Sequence, residues 1–447
     1  MSSNTNAPAA NPASKLPAVF RAFRHRNFQL FFGGQIISLT GTWMQSVAQS
    51  WLVYRLTGSV ALLGLMGFAA QFPVFLLTSF GGAAADKYNR HRILVATQTA
   101  SMILAAILAA LTLTGTIAVW HLFVLASLGG VVNALDIPTR QSFVVDMVGK
   151  EDLLNAIALN SSMFNGARIV GPAIAGILVS AVGEAWCFFG NAVSYIAVIT
   201  GLLLMRIAQK QIPASEGSAI EKIKEGFGYA AKTAPVRALL LLLGLVSLMG
   251  MPYTVLMPIF ADRILQGGVR GLGMLMGASG TGALAGALVL ASRKSIKGLG
   301  RWVAISSGSF GAFLILFSFS RSFWLSAALL VPAGFSMMLQ MSSSNTLVQS
   351  MVPDELRGRV MAVYSMMFMG MAPLGALMAG SLAGIIGAPA TVALGGAVCI
   401  VGSIVFGLCL PKLRAEAREI IVALQMTGGA PAAQASFQEP VLVTSKK

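Results

Sequence analysis

The chain has 447 residues, 56% of them hydrophobic and only 10% charged, with a mean hydropathy of +0.78. A soluble globule of that length needs a polar surface this composition cannot supply, so the chain reads as an integral membrane protein. Its net charge of +16 would admit a nucleic-acid partner, but the placement of the charge argues for topology instead.

Residues 1–14 are small, polar and of low complexity, which predicts a disordered tail; no short cleavable apolar region follows to make a signal peptide. Leu16–Arg26 alternates Val19, Phe20 and Phe23 with Arg21, Arg24 and Arg26, the pattern of a short helix on an anionic membrane surface. Twelve apolar stretches then follow, each long enough to cross about 30 Å of hydrocarbon. They are 28–54, 60–82, 93–115, 119–143, 156–180, 186–206, 237–259, 272–291, 302–319, 323–345, 360–384 and 390–410. The expected architecture is an all-α membrane protein. It has an N-terminal segment at 1–27, a six-helix bundle at 28–206, a linker at 207–236, a second six-helix bundle at 237–411 and a tail at 412–447. In the linker, Ile220, Ile223 and Phe227 recur at helical spacing, as in an interfacial helix; Leu413–Leu424 predicts a separate charged amphipathic segment.

With the N-terminus inside, the inner loops hold most of the basic residues, among them Lys87, Arg90, Arg92, Lys222, Lys224, Arg293 and Lys297. The outer loops hold only Arg55, Arg263, Arg270 and Arg321. Positive residues flanking spans stay cytoplasmic, so both termini are expected inside a bacterial-type cytoplasmic (inner) membrane, with lipid and not nucleic acid as the surrounding partner.

Cys187, Cys399 and Cys409 all fall inside apolar spans, and no pair among His25, His91 and His121 has metal-ligand spacing. Gly271-Leu-Gly273 lacks the third glycine of a dinucleotide loop, and no nucleophile elbow or zinc-protease signature is present. No enzyme, cofactor or metal is expected, and chemistry has to reside in polar groups within the spans.

Gln45 and Gln49 share a face of the first span at i, i+4, and with Asn133, Asn160, Asn165 and Gln340 they are candidates to line a substrate cavity, although amides also bond helix to helix. The loop after the second span reads Gly82-Ala-Ala-Ala-Asp86-Lys87-Tyr88-Asn89-Arg90-His91-Arg92. The fourth span ends Asn133-Ala-Leu-Asp136-Ile-Pro138-Thr139-Arg140-Gln141. The fifth carries Gly166-Ala-Arg168-Ile-Val-Gly171-Pro172-Ala-Ile-Ala175-Gly176, where the glycines clear a face for close packing and Pro172 permits a bend. Gly282, Ala285 and Gly286 give the eighth span a matching face, so the fifth and eighth spans are expected to meet across the halves and close the cytoplasmic side. Asp136 is the only acid well inside a span, about 10 Å from the cytoplasmic end, with Arg168 about 18 Å in. Asp136 can pair with Arg168, or with Arg140 at i, i+4, leaving Arg168 to attract an anionic substrate. Met366, Met367, Met369 and Met371 suit a surface accepting varied apolar ligands, or simply fill gaps.

Residues 147–183 and 351–387 superpose without a gap on a shift of 204, bringing Met147 onto Met351, Gly166 onto Gly370, Gly171 onto Gly375, Gly176 onto Gly380 and Gly183 onto Gly387. Parallel repeats inside a membrane point to transport. The Gly82–Arg92 loop resembles the signature loop of the major facilitator superfamily, with Asn89 replacing a glycine, as its access to the left-handed conformation allows, and His91 at a usually basic position. The fifth span resembles the glycine-proline motif of exporters in the same superfamily, with Ala175 for one glycine. With the end of the fourth span, the chain most resembles the branch containing enterobactin exporters and drug efflux proteins. That resemblance implies alternating access of two six-helix bundles around a cavity lined by spans one, four, seven and ten, with a small-molecule substrate and protons as partners and a monomer as the working unit. It also implies that Asp86 rests, outward-open, against the eleventh span, taken to begin near Arg359–Val360, and that Arg90 holds an acid near the fourth. The expected function is a proton-coupled exporter of small amphiphilic molecules. The alternatives are a symporter or uniporter of the same fold, or a lipid flippase.

Overall fold

The computed structural model describes residues 18–149, 151–206, 219–293 and 295–426; the expected N-terminal tail, residues 207–218 of the linker and residues 427–447 of the tail lie outside them. All regular elements among the described residues are helical. After a 3₁₀ segment at Ala18–Arg24 come α1 (Arg26–Thr57), α2 (Val60–Lys87), α3 (Arg90–Leu113), α4 (Val119–Val148), α5 (Leu153–Val182) and α6 (Glu184–Leu203). Then follow α7 (Ala219–Lys232), α8 (Ala234–Ile264), α9 (Gly268–Ala291), α10 (Leu299–Phe319), α11 (Phe323–Ser350), α12 (Asp354–Ile386) and α13 (Ala388–Met426).

Eleven helices, α2 to α6 and α8 to α13, are long and apolar enough to cross a membrane. The first expected span, α1, is equally long but more polar, because Gln35, Ser38, Thr40, Thr42, Gln45 and Gln49 dilute it. It packs closely on α6, where Gly34 and Gly41 face Val198 and Asn191. Several helices overrun their apolar windows, since end turns keep their hydrogen bonds past the hydrocarbon. Thus α4 continues to Val148, α12 starts at Asp354, and α13 runs unbroken through the charged segment expected to be separate. The linker helix α7 docks on α12 through an Arg359–Glu225 ion pair, while the Tyr229 hydroxyl donates to the Met351 carbonyl at 2.6 Å.

The helices share two ends. The described breaks at 88–89, 151–152, 204–206 and 351–353 mark the basic end, and those at 58–59, 114–118, 183, 265–267 and 387 the far end. The duplicated segment makes the same pair of contacts in each half. A Cβ at Gly171 would lie 2.5 Å from the Trp43 Cβ of α1, and one at Gly375 would lie 2.3 Å from the Leu248 carbonyl of α8, so each copy packs within its own half. Gly176 faces Val269 and Arg270 of α9, and Gly380 faces Gly64 of α2, so each copy also crosses to the other half.

The fifth and eighth spans, α5 and α9, do meet across the halves, but not where the sequence suggested. Gly282 and Gly286 face Val331 and Phe335 of α11; the face turned to α5 carries Gly273, whose Cβ would lie 2.4 Å from the Pro172 carbonyl, and Gly280. Among the described residues, the hydrogen bonds and glycine approaches joining the halves lie at mid-helix or towards the far end, so this packing closes the far end rather than the basic end.

The C-terminal half also contains wide π turns, at Val246–Gly250 and Phe260–Ile264 in α8 and at Met366–Gly370 in α12. Met366, Met367 and Met369 of the methionine cluster lie in this last turn and Met371 directly follows it, all four half-buried. The Ser247 hydroxyl donates to the Phe368 carbonyl, satisfying a group that the irregular winding frees.

Candidate functional site

Asp136 on α4 is 3% exposed and accepts hydrogen bonds from Thr97 Oγ1 at 2.8 Å and Gln98 Nε2 at 2.7 Å, both on α3. Its charge partner is Arg140, one turn along α4 at 3.4 Å; Arg168 is not in this group. Because α4 extends to Val148, Asp136 is twelve residues from its basic end (148 − 136), about 18 Å rather than 10 Å. The group holds a carboxylate and its arginine partner together in the middle of the N-terminal helices. The duplication carries no second copy: the shift of 204 places Gln340 at the position of Asp136 and Ser344 at that of Arg140. Gln340 is 1% exposed, and its Nε2 and the Ser343 and Ser344 hydroxyls have no partner among the described residues, so the amide expected in a cavity is enclosed in the helix packing.

Arg168 sits at the middle of α5, half-buried, its guanidinium 5.8 Å from the Trp43 ring of α1. Trp43 in turn meets Phe164 edge-on at 5.7 Å. The Arg168 carbonyl faces Gly280 of α9. The other expected cavity groups scatter. Gln45 accepts from Asn191 Nδ2 of α6 at 2.7 Å, and Asn165 donates to its own helix at the Ser161 carbonyl. Gln49 and Asn160 are half-buried and Asn133 is exposed, while Gly166 faces open space.

At the basic end, Gly82 meets nothing within 4 Å and Asp86 has 53% of its side chain exposed. Arg90 lies 3.7 Å from Asp86 and 3.1 Å from Asp146 of α4, and also donates to the Ala85 and Ser142 carbonyls, tying the ends of α2 and α4 together. Lys87 lies over the Tyr88 ring and Arg92 is exposed. Asn89 is not left-handed: at φ −64° it caps α3, its side chain accepting from the Arg92 N–H. The helix opposite starts at Asp354, not near Arg359, and already carries Asp354 and Glu355 in its first turn. Nearby, Arg24 at 2.6 Å and His25 at 2.8 Å hold Asp152, which the His25 hydrogen bond and the Arg24 charge keep below the usual carboxylate range.

The far end carries contacts that sequence reasoning missed. The Tyr54 hydroxyl of α1 donates to Asp262 of α8 at 2.7 Å, Arg263 donates to the Gly58 carbonyl at 3.3 Å, and Arg270 of α9 donates to the Ser180 hydroxyl of α5 at 2.7 Å. Read alone, the two arginines were only outer-loop charges; the signal was the Asp262-Arg263 pair beside Tyr54 at another span's outer end.

A model of the family described as "Transmembrane secretion effector" matches residues 18–438. The chain is 27% identical over 390 residues to the staphyloferrin A transporter of Staphylococcus aureus, covering 87% of this chain and 98% of that one. It is 26% identical to the multidrug efflux pump Tap of Mycolicibacterium fortuitum (84% and 93% covered) and 23% to the enterobactin exporter EntS of Escherichia coli (87% and 93%). Among solved structures, the nucleoside transporter NupG superposes with a TM-score of 0.67 at 14% identity, covering 87% of this chain and 99% of that one. A bacterial homologue of the lysosomal transporter Spinster, inward-facing and unoccupied, gives 0.63 at 15%, covering 92% and 99%. These two likenesses concern the fold alone. The match over 18–438 and the relatives together settle the class: the chain belongs to the transmembrane secretion effector family of major facilitator superfamily transporters, a membrane transporter and not an enzyme.

Proposed function

We propose that the chain is a proton-driven exporter of small amphiphilic molecules, working as a monomer by alternating access between two six-helix bundles, 28–206 and 237–411. The seam is closed at the far end by Tyr54–Asp262 and the Gly176–Gly273 packing, while Asp86 at the basic end is exposed and pairs within its own half. That is the arrangement expected of an inward-open transporter in a cytoplasmic membrane with both termini inside. The observation that carries the coupling is the Asp136 group: a carboxylate buried at mid-depth, held by Thr97 and Gln98 and paired with Arg140, has a counterpart in the other half, Gln340, that cannot titrate. Loading and release of one proton there biases the two states.

The test is efflux from intact cells against a panel of drugs and siderophores, with and without a collapsed proton gradient. Export reads as depletion lost on collapse of the gradient. Accumulation inside the cell would select a symporter instead, insensitivity to the gradient a uniporter, and movement of lipid without small-solute flux in proteoliposomes a flippase.

A further inference from the structure

We infer that Arg168 docks the acidic group of the substrate, so that the transported molecule is an organic anion with a planar apolar body; this rests on the transport reading above. An arginine stays charged at any accessible pH. Holding one at mid-helix without a counter-ion is costly, and the surrounding chain normally supplies an acid. Here it does not. Among the described residues Arg168 has no ion-pair partner, and the acid nearest in kind, Asp136, is engaged by Arg140, Thr97 and Gln98. The Trp43 face at 5.8 Å compensates part of the charge and supplies no hydrogen-bond acceptor. Arg168 is also only half-buried, so its donors remain reachable.

The neighbours define the rest of the ligand. Trp43 and Phe164 stand edge to face beside the guanidinium, with Phe164 44% exposed, which offers an aromatic wall next to the charge. Gly171, three residues on, makes this possible, because any Cβ there would collide with Trp43 at 2.5 Å. The position is also on the seam, because Gly280 of α9 meets the Arg168 carbonyl. An anion bound to Arg168 therefore sits on the helix that carries the contact between the halves, where a molecule that selects between two states can act. A small inorganic anion shares the acceptor chemistry, whereas the aromatic wall favours an organic one.

The experiment uses two probes with one aromatic body, dansylglycine and its methyl ester, titrated into the purified full chain in detergent. The wild type is expected to bind the acid about tenfold or more tighter than the ester. In Arg168→Gln that ratio falls to about one, and in Arg168→Lys an intermediate ratio remains, because a point charge replaces the planar fork. If Arg168→Gln fails to fold, the wild-type ratio and the lysine variant decide. Equal or tighter binding of the ester, an unchanged ratio in Arg168→Gln, or no binding of either probe overturns the proposal. Titration in gluconate against chloride separates the sources: acid affinity that tracks chloride alone assigns the site to an inorganic anion and also overturns it. Preference for the acid without uphill transport would leave this site standing and remove proton-driven export; uphill pumping of the ester alone would do the reverse.

Discussion

Tyr54 and Asp262, more than two hundred residues apart in the chain, join its two halves through a 2.7 Å hydrogen bond at the far end, and Arg263 rests 5.6 Å from the same Tyr54 ring. A hydrogen bond to a carboxylate is stronger when the carboxylate is ionised. In the alternating-access cycle proposed above, this bond would break on opening of the far end and so latch one state.

Replacing Tyr54 by Phe removes the donor and keeps the ring. The loss, about 1.5 kcal/mol, shifts the balance towards far-end opening by roughly tenfold. The check is maleimide labelling from outside of a single cysteine at Val269, which Gly176 now covers, in a background lacking Cys187, Cys399 and Cys409. Labelling as slow as in the parent would mean that the bond is incidental.

Asp136→Asn should fold, since an amide fills the same space, yet lose gradient-driven export by at least about tenfold while retaining ligand exchange. Leaving Arg140 without its partner destabilises the bundle by about 3 kcal/mol or more, and Arg140→Gln in the same chain should restore the melting temperature without restoring uphill transport. Uphill transport by the double variant would move the coupling site elsewhere.

Gln340→Leu tests the asymmetry of the duplication. The Gln340 amide is buried with an unpartnered nitrogen, so an apolar side chain of similar bulk should leave the melting temperature equal or higher, with export unaffected. A tenfold loss of export in a well-folded Gln340→Leu protein would give the second half a role in coupling that its neutral residues do not suggest.

Much of this site was legible in the sequence where partners are close in register. Asp136 and Arg140 stand one turn apart, so helical geometry alone offered the pair that the structure contains. Thr97 and Gln98 were not legible, because 38 or 39 residues separate them from Asp136 and only the rotation of α3 brings them together. The same limit explains the error over α9. Gly273 and Gly282 are equally small, and each residue turns the helix by about 100°, so composition could not say which faces α5 and which faces α11. The duplication was legible because Gly171 and Gly375 meet the same kind of neighbour in each half. Tyr54 and Asp262 belong to no repeat and to different halves, and nothing local links them.

Asp152 ties the N-terminal segment to the start of α5 through Arg24 and His25. The His25 hydrogen bond first, and the Arg24 charge with it, depress its folded acidity constant. The tie therefore contributes fully above the unfolded value of 3.8 and is lost as the pH falls below that through the lower folded value. The melting temperatures of the wild type and Asp152→Asn should differ near neutrality and draw together as the pH is taken below 3.8. A constant difference across that range would show that the carboxylate charge is not what matters.

Asp86 belongs to the loop for which we propose a gating role. It is half-exposed, 3.7 Å from Arg90, which is itself fixed to Asp146. When the basic end closes, α2 must approach the start of α12, as their far halves already do at Gly64 and Gly380. The first turn there already holds Asp354 and Glu355, which weakens the helix terminus as a partner for another acid, but it also holds Arg357, paired with Asp354. Asp86 is therefore expected to latch on Arg357 rather than on the bare helix end. Asp86→Asn should fold and bind ligand but remain inward-open longer, labelling faster at single cysteines on the basic side, and Arg357→Gln should reproduce that effect without adding to it. Additive effects of the two would show that they act on separate partners, and unchanged labelling with normal transport would leave Asp86 as a solvated charge whose one partner is Arg90.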